Sequence, residues 1–286
     1  MTTGSRSGGM SGTKLYQARA RAALPLLVRQ AEAGVPISYA RLAEELGMPN
    51  PRNLNYVLGS VGQTLQELSK TWRSKIPPIQ CLVINQRTGI PGEGIGWFIV
   101  KKKDFGLLTP HEKHTILQAE LHHVLRYPRW REVLQALDLR PAATDFRAAV
   151  EEATTGRRGG ESAAHRALKE FVARTPEVVG LRASTPAGKT EEPLPSGDSL
   201  DVSFRGAELW VAAEVKSAVS TDADIARGMF QCVKYRAVME ALLRTMSRQP
   251  NVHAVLVLES RLPRSLIPLR NMLGIEVVEG VSPRRG

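Results

Sequence analysis

The sequence predicts two domains of different fold class, a mainly α N-terminal half and an α/β C-terminal half. Three observations carry that expectation. The chain has 286 residues, a length that favours two domains, each large enough to bury its own core. Charge is uneven: residues 1–140 hold 19 Lys/Arg against 10 Asp/Glu, a net of +9, whereas residues 141–286 hold 20 against 18, a net of +2. The apolar rhythm also changes, from helical spacing in the first half to short apolar runs alternating with helices in the second.

Residues 1–12 are rich in Gly, Ser and Thr and are expected to form a disordered tail. Leu15, Ala18, Ala22, Leu26 and Leu27 share one side of a helix over residues 14–32, which Gly34 ends. Ser38 caps a short helix over 39–46, stopped by Gly47. Pro49-Asn50-Pro51 is a turn, and a longer helix follows over 53–72. After Pro77-Pro78 come an apolar run over 79–84, a glycine-rich loop over 88–96 and a strand over 97–100. Helix, turn, helix, strand, loop, strand is the order of a winged helix-turn-helix, assigned here to residues 13–140. Two more helices are expected over 111–125 and 129–137.

Residues 141–160, ending in Thr154-Thr155-Gly156-Arg157-Arg158-Gly159-Gly160, read as a linker. The second domain, 161–286, then runs as a helix over 161–174, a strand over 178–183 and a Pro/Gly/Glu loop over 185–197. Two strands follow over 199–204 and 209–217, joined by a turn at Arg205-Gly206, and then a long helix over 222–246. A buried-type strand over 253–259, a helix over 263–273 and a strand over 275–279 complete it. The order α-β-β-β-α-β, with a final α-β, implies a mixed sheet.

The basic first half fits a polyanion partner, most simply duplex DNA. In a winged helix the start of the second helix meets base edges, which places Arg52, Asn53, Asn55 and Tyr56 there; Asn can read adenine and Arg guanine. Arg87, in the expected wing over 86–94, would contact phosphate or the minor groove, and Lys101, Lys102 and Lys103 would add phosphate charge.

The second half holds an acidic constellation. Asp201 lies in an apolar-flanked strand, and Glu214 follows thirteen residues later in Val211-Ala212-Ala213-Glu214-Val215-Lys216. Alternation puts Glu214 and Lys216 on one face and Val215 on the other. An acid and a lysine on an apolar strand are costly to bury without partners. Symmetric pairing about Arg205-Gly206 would leave Asp201 opposite residue 211 or 212, so its approach to Glu214 needs a diagonal contact or a bulge. Two carboxylates with the Val215 carbonyl form a hard-oxygen set for Mg²⁺, with Mn²⁺ as a substitute. Beside such an ion, Lys216 can orient and help deprotonate a water for attack on a phosphodiester.

Asp201 followed by Glu214-Val215-Lys216 resembles the acid, gap, acid-x-lysine pattern of the PD-(D/E)xK nuclease superfamily, although residue 200 is Leu rather than Pro. The order of elements is similar to that superfamily's restriction-endonuclease-like core. Gln231 and Tyr235, four apart on the next helix with Arg227 one turn earlier, resemble the QxxxY motif of lambda exonuclease and RecB-type nucleases. The resemblance implies a metal-dependent deoxyribonuclease over about residues 158–260. In it Asp201, Glu214, the Val215 carbonyl and Glu161 on the first helix would hold metal. Lys216 would serve the attacking water, and Gln231 and Tyr235 would support the cluster and, with Arg227, touch DNA. Endonuclease action in restriction, defence or repair, exonuclease or end-processing action, and a non-catalytic DNA-binding role all stay open; many such enzymes dimerise to cut both strands. Residues 78–96 are faintly similar to the winged-helix region of DNA alkyltransferases, with Ile79-Gln80-Cys81-Leu82-Val83 where that family carries Pro-Cys-His-Arg. Without the His and Arg, Cys81 is expected as a buried strand residue, and the resemblance implies DNA binding without alkyl transfer.

Gly92-Glu93-Gly94-Ile95-Gly96 resembles a nucleotide loop but leads into an expected strand, where a dinucleotide fold needs a helix. His111, His114, His122 and His123 share a predicted helix, yet the first and third would lie about 16 Å apart, too far to share an ion. Cys81 and Cys232 make neither a disulfide framework nor a CxxC zinc pattern. No apolar run approaches the roughly 20 residues of a bilayer span, and the N-terminus lacks an apolar signal region. A cytoplasmic setting without membrane partners is therefore expected, nucleoid-associated if the source is prokaryotic.

Overall fold

The computed structural model describes residues 9–99, 102–143, 162–245 and 250–283. Its contacts divide the chain into two compact units, Met1–Thr144 and Asp145–Gly286. The whole is mixed α/β, with a five-stranded mixed sheet in the second unit.

In the first unit, helix α1 (Leu15–Ala33) ends at Gly34, whose φ of 73° supplies the left-handed C-cap. Helix α2 (Tyr39–Glu45) is capped by Ser38, whose hydroxyl accepts from the Arg41 amide at 3.3 Å. A 3₁₀ turn (Pro51–Asn53) leads into α3 (Leu54–Trp72). The apolar faces of α1 and α3 meet in one core, through Ala20, Leu24, Leu27, Leu54, Val57 and Val61. Residues 79–84 are not one strand. Ile79–Leu82 is a buried 3₁₀ turn, and only Val83–Ile84 (β2) pairs, in parallel, with Ile37–Ser38 (β1).

The expected wing is corrected too. Asn85 closes a short loop on Ile90, its amide donating to the Ile90 carbonyl at 2.9 Å, but no strand returns from it. A 3₁₀ turn and helix α4 (Gly96–Ile99) stand where the strand over 97–100 was expected. The reason is packing: Gly96 lies against Phe105, so close that a Cβ would sit 2.7 Å from the ring, and this contact folds the segment onto α5 (Lys102–Leu107). Helices α6 (Pro110–Arg126) and α7 (Trp130–Ala136) follow.

In the second unit, α8 (Ala163–Arg174) is capped by Ser162. The strand expected over 178–183 is instead a 3₁₀ turn, Pro176–Val179, ended by Gly180 at φ 75°. The first strand, β3 (Lys189–Pro193), comes from the region read as a loop. It is polar because it is the sheet edge, where charge and proline discourage further pairing. Then come β4 (Ser199–Arg205), β5 (Leu209–Lys216), α9 (Asp222–Leu243), β6 (Asn251–Leu258), α10 (Ile267–Leu273) and β7 (Glu276–Val278). Sheet order is β3-β4-β5-β6-β7, antiparallel through β5 and parallel from β5 to β7.

Strand β5 is central and covered on both faces. Val211, Ala213 and Val215 pack with Leu168 and Val172 of α8. Trp210 and Ala212 pack with Tyr235 and Met239 of α9. Glu214 follows that second set by alternation, so a carboxylate stands on a face that burial would otherwise reserve for apolar groups.

Candidate active site

Asp201 and Glu214 come together because the β4–β5 turn is longer than the sequence suggests. Arg205 pairs with Trp210 and Val202 with Ala213. Four residues, 206–209, make the turn, and continuing the same register by one puts Asp201 opposite Glu214. No bulge between β4 and β5 is needed. The ladder itself stops at Val202–Ala213. Val215, past the end of the ladder, finds its acceptor in a side chain: its amide donates to Asp201 Oδ2 at 2.9 Å.

The N–H and C=O of one strand residue point to the same edge. The Val215 carbonyl therefore opens toward the β4 side, whereas the Lys216 carbonyl accepts from the Glu259 amide beyond β6 at 3.0 Å. Asp201 Oδ2 also lies 3.8 Å from His165 Nε2, an electrostatic neighbour beyond hydrogen-bond distance.

Glu214 is 1% exposed and held at both oxygens. Lys216 Nζ donates to Oε1 at 2.5 Å, and the Tyr235 hydroxyl lies 3.0 Å from Oε2. That hydroxyl is also 3.0 Å from the Ser199 carbonyl and receives the Gln231 amide at 3.3 Å. Tyr235 has one proton for two acceptors. A protonated Glu214 would resolve this by donating to Tyr235, which then donates to Ser199. Gln231 Oε1 is buried without a hydrogen-bond partner among the described residues.

Electrostatics separate the two acids. Burial pushes the Glu214 carboxyl up to about 7; the Asp201 charge adds to this, and Lys216 and Tyr235 only partly oppose it. Asp201 is also raised by burial, but the His165 imidazole, the Val215 amide and Lys216 outweigh that and hold it below the usual carboxylate range. Lys216 loses from burial but gains more from Glu214 and Asp201, so its ammonium is held above its usual range and stays protonated. Burial and the neighbouring carboxylates likewise hold the Tyr235 phenol far above its ordinary value.

A hard divalent ion fits this donor set: two carboxylates and an outward carbonyl, with Asp201 Oδ1 accepting no hydrogen bond among the described residues. Were such an ion bound, Asp201, Glu214 and the Val215 carbonyl would be the groups placed to hold it. Among the described residues no group of three or more His, Cys, Asp or Glu converges on a metal position. Glu161, the expected third acid, lies outside the described residues.

Arg227 is one turn before Gln231, as expected, and its guanidinium bonds Asp224 at 2.9 Å. Gly228 was missed. A Cβ there would sit 2.8 Å from Leu256 Cδ1, 3.0 Å from Lys216 Cε and 3.4 Å from Glu214 Cγ, so the glycine lets α9 lie close over the pair and any side chain would push the tips of Leu256 and Lys216 aside. A glycine inside a predicted helix, where alanine is favoured by about 1 kcal/mol, is the signal that could have found it.

In the first unit Arg52, Asn53, Asn55 and Tyr56 are all exposed at the start of α3, and Arg87 is exposed on its loop. Tyr56 also meets Tyr16 of α1, with ring centroids 6.2 Å apart. Lys101 lies outside the described residues, and of Lys102 and Lys103 only the backbone, in α5, is described. Cys81 sits in a 3₁₀ turn rather than a strand; it is 1% exposed, and burial pushes its thiol up to about 12, so it is no thiolate nucleophile. The glycine-rich loop does lead into a helix, but α4 has four residues, too short to cradle a pyrophosphate. Among the described residues no helix is long and apolar enough to cross a membrane.

No protein-family profile matches the chain, and neither the curated proteins nor the solved structures yield a match.

Proposed function

We propose that this chain is a Mg²⁺-dependent DNA endonuclease with a PD-(D/E)xK-type core and an N-terminal helix-turn-helix unit that holds duplex DNA. The observation that carries the reading is the fork at Asp201, Glu214 and Val215, with Lys216 bonded to Glu214 and Tyr235 behind it. A buried Glu214 on the central strand, with the half-buried Lys216 beside it and Asp201 on the neighbouring strand, has no packing benefit. Their arrangement suits a cation and a phosphodiester.

Asp201, Glu214 and the Val215 carbonyl would hold the ion, which lowers the pKa of bound water and offsets phosphate charge. Lys216, protonated, is not a general base; it orients the attacking water and stabilises the charge that develops on phosphate. Tyr235 fixes the Glu214 carboxylate, and Gln231 fixes Tyr235. Arg52, Asn53, Asn55, Tyr56 and Arg87 would bind duplex DNA, and the covalent link raises the effective concentration of that DNA at the second unit. Mn²⁺ would substitute for Mg²⁺ in this oxygen-rich set.

Covalently closed circular duplex DNA tests the mode of action. An endonuclease with Mg²⁺ nicks or linearises it. Degradation of linear DNA alone, with circles untouched, would make the protein an exonuclease, and no cleavage of either would leave a DNA-binding protein.

A further inference from the structure

Asp201 faces the wrong way for a regular strand. Val202 pairs with Ala213, and both pack with α8. Unbroken alternation would then put Asp201 on the α9 face, beside buried Glu214. Instead its carboxylate lies in the sheet plane on the Val215 amide and near His165 of α8. Leu200, one residue earlier, is already on the α9 face with Trp210 and Tyr235. The strand therefore changes face between 200 and 202.

The cause lies on the neighbouring strand. β3 pairs with β4 at Thr190–Val202 and at Glu192–Leu200, but the rung between them, Glu191–Asp201, is skipped. Glu191 has φ 53°, one of three non-glycine residues with positive φ among those described. A long side chain in that conformation needs something to hold it. What holds it is Lys169 of α8, only 4% exposed, whose ammonium is ion-paired with the Glu191 carboxylate. Lys169 is one turn beyond His165 on the same helix face. Two acids on adjacent strands are thus met by two basic side chains one turn apart.

We propose that Lys169 and Glu191 are positioning residues: their ion pair pins the left-handed kink in β3 that breaks the rung to β4 and aims Asp201 into the fork. The kink turns the Asp201 carboxylate onto the Val215 amide, at the end of the strand that carries Glu214. Neither residue belongs to the acid-x-lysine pattern or to the QxxxY helix. The geometric claim is independent of the nuclease reading; its consequence for metal binding rests on that reading.

Lys169→Met is the clean perturbation. It removes the buried cation at similar volume and frees the Glu191 carboxylate, which is largely exposed and can be solvated. Amide hydrogen exchange followed by NMR, without metal, reads the outcome. Protection of the Val215 amide is expected to fall about tenfold or more, while Ala213, inside the intact ladder, stays unchanged. Unchanged Val215 protection in the folded variant would overturn the proposal. If Lys169→Met does not fold, Glu191→Asp reads the same amide, because it keeps the charge but shortens the reach by one methylene; full Val215 protection there overturns the proposal equally. A parallel Mn²⁺ titration separates the two claims. No Mn²⁺ binding by the wild type defeats the nuclease reading alone, whereas wild-type binding with an unweakened Lys169→Met defeats the positioning role.

Discussion

Glu214→Gln tests the electrostatic core of the site. The Glu214 carboxyl moves from an ordinary 4.5 to about 7 on folding because it is buried and feels the Asp201 charge. Between those values the folded chain keeps a proton that the unfolded chain has lost. Stability therefore falls as pH rises through this window. That rise corresponds to about 3 kcal/mol, fully felt above pH 7 and absent below 4.5. Asp201 acts in the opposite sense: it stabilises above its ordinary 3.8 and loses that contribution only as pH falls lower, so the two windows do not overlap. Gln keeps the shape and cannot ionise. In urea unfolding at pH 5 and pH 8 without metal, the variant should gain about 3 kcal/mol on the wild type at the higher pH, a relative midpoint shift of roughly 1–3 M. The first unit is common to both proteins, so its contribution cancels. Parallel pH profiles would refute the assignment of the raised pKa to Glu214.

Other outcomes follow from the same geometry. Because an ion must displace the Glu214 proton, Mn²⁺ affinity measured by calorimetry should rise about tenfold per pH unit from 5 to 7 and level off above, and Glu214→Gln should abolish the slope. Tyr235→Phe removes one donor that favours the ionised Glu214 and leaves the Ser199 carbonyl without its hydroxyl; it should cost about 1–3 kcal/mol of stability and move the pH threshold of metal binding upward. Gly228→Ala gains about 1 kcal/mol of helix propensity but meets Leu256 and Lys216, a clash of about 1–3 kcal/mol, so a lower melting temperature and a larger loss of cleavage are expected. Arg52→Ala should weaken duplex binding by about 1–3 kcal/mol, and Arg87→Ala should reduce the salt slope of binding by about one, both read by fluorescence anisotropy.

Elements built from strong local signals were legible in the sequence. Gly34, Ser38 and Gly47 bound α1 and α2, and the alternating strand over Asp201 and the apolar β6 stand close to their expected positions. Two strands were misplaced for a shared reason. Val178 and Val179 look like a strand but turn at Gly180, whereas the polar residues of β3 look like a loop and form the sheet edge. Edge strands carry little apolar pattern, so tertiary pairing decides them. The expected wing strand failed because Gly96 against Phe105 favours a helix, a contact that local propensity does not contain.

Within the site, the residue types of Asp201, Glu214, Lys216, Gln231 and Tyr235 were visible, but their contacts were not. The turn over 206–209 sets the register, and the skipped rung at Glu191 sets the aim of Asp201. Neither leaves a mark in the periodicity of β4 or β5 alone. Lys169 carries no mark of its own in the sequence, because Glu191, with which it pairs, lies 22 residues away on a polar edge strand.

The most direct measurement pairs wild type with Lys216→Ala on supercoiled circular DNA in Mg²⁺, with duplex binding measured in parallel. The account predicts nicked or linear product from the wild type, none from the variant, and equal affinity for duplex DNA. Equal cutting by both proteins, or no cutting by the wild type, would contradict it.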